Sequence, residues 1–231
     1  MTAKPTEKNI NFKDRFWELS RTDVFQREMD IIWSSIRSRI SQEQDKTFLV
    51  CSSTLHEGNT TVTVGLANFV AMQTGKDVLV IDANCREDGP RDLFANGGLV
   101  PLIEEPHDQY VLTFDEYETS MPNMRFLTFR NPGALETVVV NYREMESFMA
   151  IVERRYDYVF VDAPPLLDSN IAAFLARHMD KVIFVLAASE RPVPVLKEAL
   201  ARLEDSKDRV IGAIINKREH PIPGYLYRFF R

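Results

Sequence analysis

Short continuous apolar runs alternate along the chain with longer stretches in which apolar positions recur every three or four residues. The runs are FLVCSS (48–53), DVLVIDA (77–83), MRFLTFR (124–130), YDYVFVDAPP (156–165), KVIFVLAAS (181–189) and RVIGAIINK (209–217). The periodic stretches are DVFQREMDIIWSSIRSRI (23–40), TTVTVGLANFVAMQTG (60–75), YREMESFMAIVERR (142–155), LDSNIAAFLARHM (167–179) and VPVLKEALARLEDS (193–206). Period 3.6 predicts helices, and unbroken apolar runs predict strands covered on both faces. Their alternation predicts an α/β fold: a mostly parallel central sheet with helices on both faces, in three layers. Asp23 is a plausible cap for the first of these helices. Residues 84–123 keep no lasting period, and short helices are expected there over 90–94 and 99–105. Residues 1–20 read as a flexible N-terminal arm, with Phe12, Phe16 and Trp17 anchoring it by ordinary packing.

Composition narrows the function classes. The chain has 231 residues, 45% of them hydrophobic, and a net charge of −6, which fits a globular domain and argues against nucleic acid as a partner. The two cysteines, Cys51 and Cys85, make neither a disulfide framework nor a zinc spacing, and buried inert thiols are the expected reading. His107, His178 and His220 show no metal spacing, and the acidic run DEYE (115–118) reads as a solvated face. No run of about 18 apolar residues occurs, and MTAKPTEKNINFKDRF lacks the apolar core of a secretion signal. A cytoplasmic protein without a transmembrane segment of its own is expected, meeting a membrane only from outside or through a partner.

Residues 51–62, CSSTLHEGNTTV, lie between a predicted strand and a predicted helix. Strand, loop and helix is the layout of a phosphate-binding loop, in which backbone N–H groups and the helix N-terminus hold the anion. Against G-x-x-x-x-G-K-[ST], Ser53 stands at the first glycine, Gly58 at the second, Asn59 at the lysine and Thr60 at the magnesium-binding hydroxyl. Asp82 and Asp162 end two of the predicted strands. Two carboxylates beside such a loop suit a magnesium–nucleotide site, one holding the metal and the other orienting the attacking group. Taken singly, each has the plainer role of capping a turn.

Taken together, FLVCSSTLHEGNTTVTVGLANFVAMQTGKDVLVIDANCRE and YDYVFVDAPPLLDSNIAA resemble the bacterial tyrosine kinases of the MinD/ParA-like P-loop class. The resemblance covers about residues 24–220 and matches that family's Walker A, A′ and B motifs, most specifically over 159–165. It implies a P-loop domain over 21–220 with nucleotide contacts at Ser53, Gly58, Asn59, Thr60, Thr61 and Arg86. It places Asn216 against the adenine, where a turn-forming asparagine at a strand end is an equal alternative. Magnesium falls to Thr60, Asp82 and Asp162, the two acids being catalytic if the site is active. Family members work in the cytoplasm with a membrane-spanning polysaccharide co-polymerase and control capsular or extracellular polysaccharide. They autophosphorylate C-terminal tyrosines, often between subunits of a ring.

Departures from the pattern change the expected function. Lysine is replaced by Asn59, a glycine by His56, and the second Asp of Walker A′ by Asn84. Of the ring-interface pattern E-x-x-R-x-x-R, aligned on Arg37, Ile31 and Ser34 stand in place of the Glu and the first Arg. A hydrogen bond to a charged group contributes about 1.5–3 kcal/mol, and an absent lysine costs more in phosphoryl transfer. Thr54 adds no charge, and His56 is the single candidate cation in the loop. His56 also replaces a residue free to take positive φ, so the cradle is open to reshaping. The expectation is a degenerate kinase-like regulator bound to the cytoplasmic part of a co-polymerase at the inner face of the membrane. In it transfer is lost and ATP or ADP with magnesium is either retained weakly or not bound. An autokinase completed by a partner and a MinD/ParA-like positioning ATPase are the alternatives, and self-association stays open. The short tail, 221–231, offers Tyr225 and Tyr227 as phosphoacceptors. Its aromatic and basic residues equally suit docking to a membrane or partner, or a return over the protein's own apolar surface.

Overall fold

Thr47–Ser52 is buried at all six positions, and its side chains divide between two cores. Phe48 and Val50 face one and Leu49 and Cys51 the other, which is why the run is apolar without alternation. The computed structural model of the chain describes residues 12–41, 44–84, 99–100, 114–129, 142–188 and 192–217. Its strands are β1 (Thr47–Ser52), β2 (Val78–Asp82), β3 (Leu99–Val100), β4 (Phe114–Glu118), β5 (Met124–Phe129), β6 (Tyr158–Asp162), β7 (Lys181–Ala187) and β8 (Val210–Asn216). Its helices are α1 (Phe12–Ser20), α2 (Asp23–Arg37), α3 (Asn59–Thr74), α4 (Tyr142–Arg155), α5 (Ile171–Ala176) and α6 (Val193–Ala201). A 3-10 turn over Glu204–Arg209 leads into β8.

One eight-stranded sheet runs in the order β3-β4-β5-β2-β6-β1-β7-β8. β4 is antiparallel to both of its neighbours, and every other pair is parallel. The predicted α/β class and three layers are therefore observed. On one face α2 and α3 pack over Phe48, Phe126, Tyr158 and Phe160; on the other, α4 and α5 pack over Leu49, Leu79, Leu127 and Val161. Trp33 of α2 meets Tyr158 edge-on at 5.3 Å, and Phe48 stacks on Phe160 at 5.2 Å. Burying each such side chain contributes about 1.5–3 kcal/mol, so α2 is tied to the strands that carry the site.

Four local expectations are corrected. Residues 12–20 are helical rather than an irregular arm, because Phe16 is buried against Trp17 and Phe25. Thr22, not Asp23, caps α2: its extended backbone lets Oγ1 accept from the Phe25 N–H. Leu99–Val100 is a strand paired with β4, not the start of a helix. DEYE belongs to β4, and its Glu116 is buried, accepting from Tyr156 Oη at 2.5 Å. The expected helix over 90–94 lies outside the described residues.

Candidate functional site

β1, β2 and β6 are parallel neighbours, so their carboxyl ends meet at one edge of the sheet. Asp82 and Asp162 are register partners there, and both are buried. The loop that leaves β1 reaches this edge at residues 53–58 and enters α3 through Gly58, whose φ is 91°. A side chain at Gly58 would lie 2.0 Å from Asn216 Nδ2, so both the backbone angle and the space require glycine. His56 has φ 64°; it takes up the left-handed geometry despite its Cβ, and the loop keeps its turn.

Asn59 does not point outward as a phosphate ligand. Its Nδ2 donates to Asp162 Oδ1 at 2.7 Å, to Val50 O at 3.0 Å and to Ala163 O at 3.0 Å. Thr60 Oγ1 donates to Asp162 Oδ2 at 2.7 Å, and Thr63 Oγ1 lies 3.4 Å from Asp162 Oδ1. The first turn of α3 is thus fastened to the end of β6 by Asn59 and Thr60, with the Thr63 hydroxyl, which donates to Asn59 O at 2.9 Å, beside them one turn on. Burial, and then the neighbouring Asp82 carboxylate, push Asp162 up to about 8, against the pull of the bonds from Thr60, Thr63 and Asn59.

Glu57 supplies a second fastening. Its buried carboxylate accepts from Ser53 N at 2.7 Å, Ser53 Oγ at 2.7 Å and Thr54 N at 3.3 Å. Two backbone donors of the loop are thereby engaged by the protein's own anion. Asn216 Nδ2 donates to Glu57 O at 2.9 Å, which joins the end of β8 to the same loop. After Asp162, Pro164 and Pro165 break the strand, and Leu166 N and Leu167 N donate to Ser52 O and Ser53 O. Burial and the charge of Glu57 push the Cys51 thiol up, in keeping with an inert buried cysteine.

Of the residues singled out in the sequence, Ser53, Gly58, Asn59, Thr60, Asp82, Asp162 and Asn216 converge at this edge. Thr61 follows them in the first turn of α3. Arg86, Cys85, Tyr225 and Tyr227 lie outside the described residues. Glu57 and Thr63 were not singled out. Thr63 lies one helical turn beyond Asn59, on the same face of α3, which is a readable signal; Glu57 falls at an unspecified position of G-x-x-x-x-G-K-[ST] and left none.

The donor set at the edge consists of hard oxygens, from Thr60, Asp82 and Asp162, as a magnesium ion prefers. Two facing carboxylates whose charges oppose one another are relieved by a dication. Among the described residues, buried Asn59 Oδ1 has no hydrogen-bond partner, an acceptor that metal-bound water would satisfy. These residues fit the metal. The fit to outer phosphates is poorer, because the amide at the lysine position is already spent on Asp162, Val50 and Ala163.

No protein-family profile matches the chain. The tyrosine-protein kinase Wzc of Salmonella typhi is 22% identical over 216 residues, 88% of this chain, which spans 28% of Wzc's length. The tyrosine-protein kinase CpsD of Streptococcus agalactiae is 24% identical over 196 residues, 84% of each chain. Among solved structures, the kinase domain of the Escherichia coli tyrosine kinase ETK superposes with a TM-score of 0.67 at 22% identity, covering 87% of this chain and 79% of that one.

Proposed function

Because this chain is a homologue of the bacterial tyrosine-protein kinases and has their fold, we propose that it is a regulator descended from such a kinase. It keeps a magnesium–nucleotide pocket without the charge that phosphoryl transfer needs. The observation that carries this reading is the inward turn of Asn59, whose amide nitrogen bonds Asp162 and two strand-end carbonyls. A bound magnesium ion would be held by Thr60, Asp82 and Asp162 and would neutralise phosphate charge. The chain's own residues do the rest: Gly58 and the N-terminus of α3 approach the phosphates, while Glu57 and Asn216 hold the loop in shape. The partner in this reading is the cytoplasmic part of a membrane polysaccharide co-polymerase, and the output is control of extracellular or capsular polysaccharide. Among the described residues no helix is long and apolar enough to cross a membrane.

Calorimetry with Mg-ADP and Mg-ATP tests the pocket, comparing the native chain with Asn59→Lys. The lysine variant is expected to bind roughly tenfold to hundredfold more tightly, the equivalent of about 1.5–3 kcal/mol. Phosphotyrosine forming on the purified native chain with Mg-ATP, and absent from Asp162→Ala, would overturn the loss of transfer. Failure of the co-polymerase's cytoplasmic segment to bind the chain would remove the assigned partner.

A further inference from the structure

Away from the loop and its acids, the face shared by α2 and β8 is incompletely covered. A groove of about 400 Å³ lies between them, with Ile211, Gly212 and Ile215 on its strand side. Ile31 of α2 and Ile215 of β8, one from each wall, are 56% and 64% exposed. A side chain built at Gly212 meets nothing within 4 Å, so the strand side is open. Among the described strands β8 is hydrogen-bonded to β7 alone, and its sequence VIGAIIN carries no charge. An apolar edge of that kind is a surface that proteins normally cover.

The helix side of the groove identifies its occupant. Glu28, Ile31, Ile32, Ser35, Ile36 and Arg39 line it, a set that keeps to one face of α2 and of the turn that ends it. Their spacing reads the same from either end, so turning the helix end over end puts Glu28 where Arg39 was and Ile32 where Ser35 was. The acid and the base thus stand at opposite ends of an apolar centre, and Arg39 Nη1 is held at its end by donating to Ser35 O at 2.7 Å. A two-fold contact requires one patch to complement itself, each projection meeting a recess and each charge its opposite on the same surface. This face supplies both: Ile31 and Ile215 project, the groove receives, and Glu28 and Arg39 carry opposite signs. A closed ring joins two different faces, and an anionic membrane selects a basic one, so neither calls for this symmetry.

We propose that the groove is filled by a second copy of this chain. Two α2/β8 faces close about a two-fold axis with α2 antiparallel to its copy, Glu28 beside the partner subunit's Arg39 and Ile31 seated in the partner subunit's groove. The axis passes close to Ser35. Because the contact is isologous it stops at two subunits, and it covers the apolar edge that would otherwise invite open-ended pairing. It uses neither nucleotide nor any residue of the phosphate loop, so it stands or falls separately from the reading of that loop.

The test is sedimentation equilibrium of the full chain, without nucleotide, over a range of concentrations. A reversible monomer–dimer equilibrium is expected. Ile31→Asp, at an exposed position where folding is not at stake, should abolish the dimer and leave the urea midpoint of the monomer in place. Glu28→Arg and Arg39→Glu should each weaken the dimer by about tenfold or more, since each sets like charges together at both ends of the contact. The chain carrying both reversals should recover the native affinity, a rescue that a merely structural effect of either one would not give. Ser35→Cys, beside the axis, should link two chains by a disulfide on oxidation, with the native chain and Lys197→Cys on α6 as controls for Cys51, Cys85 and random collision. A chain that stays monomeric at every concentration would overturn the proposal, and so would a dimer indifferent to Ile31→Asp. Single reversals that weaken the dimer without recovery in the double would overturn the antiparallel arrangement. Assembly beyond two subunits would assign association to a ring through other faces.

Discussion

Asn59 has two amide hydrogens and faces three oxygens, one of them the Asp162 carboxylate. A lysine ammonium bonded this way would be withdrawn from phosphate, whereas a short amide reaches no further than the strand ends. The residue is therefore a fastener between α3 and β6, and its removal exposes what it fastens. Asn59→Ala leaves buried acceptors on Val50, Asp162 and Ala163 short of a donor. A loss of stability of about 1–3 kcal/mol is expected in urea denaturation; a midpoint matching the native chain's would show that water replaces the amide at no cost. The sequence announced that position 59 was unusual, since a phosphate loop without its lysine stands out by spacing alone. It did not announce which way the amide points. That orientation follows from the approach of Val50 to the adjacent Asp162 and Ala163, two segments far apart along the chain that only the sheet brings together.

At the level of elements, β1, β2, β6 and β7 were legible because both faces of each are buried, which writes a nearly continuous apolar run, and β5 was legible from Met124, Phe126, Leu127 and Phe129 despite the half-buried Arg125. β4 was not, because its sequence FDEYE is dominated by acids that a surface would also carry. What rescues Glu116 from solvent is its partner set: Tyr156 Oη donates to one oxygen, and Arg155 Nη1 lies 3.9 Å from the other. A buried carboxylate is tolerated only when paired in this way. Burial and the bond to Glu116 push the Tyr156 hydroxyl up, so it remains a donor throughout the ordinary pH range. Tyr156→Phe removes that donor and keeps the ring, and a cost of about 1.5–3 kcal/mol is expected for the bond to a charged group. Thermal or urea unfolding measures it. A change under about 0.5 kcal/mol, ordinary for a surface position, would return Glu116 to the solvated face that the run DEYE first suggests.

Across the whole molecule the two cores are joined through a sheet whose centre holds the Asp82 and Asp162 pair, at the meeting point of β2, β6 and α3. The α/β class and the convergence of the two acids were readable, because parallel strands of similar length end together. The antiparallel edge made by β3 and β4 was not, since its two-residue strand has no period to read. Placing an acid pair at the centre ties global stability to pH. In the unfolded chain Asp162 ionises near the ordinary carboxylate value of about 3.9; in the fold, burial and Asp82 push it up to about 8. Between these values the folded chain holds a proton that the unfolded chain has released. Raising pH therefore favours unfolding, by at most about 1.4 kcal/mol per pH unit from this group. Asp162→Asn cannot ionise, so its stability should fall less steeply than the native chain's as pH rises from 5 to 8, and the two curves should run parallel above that range. Urea unfolding of both chains at each pH reads the difference. Curves parallel throughout from pH 5 to 8 would mean that Asp162 is already ionised in the fold, its charge carried by the bonds from Asn59, Thr60 and Thr63.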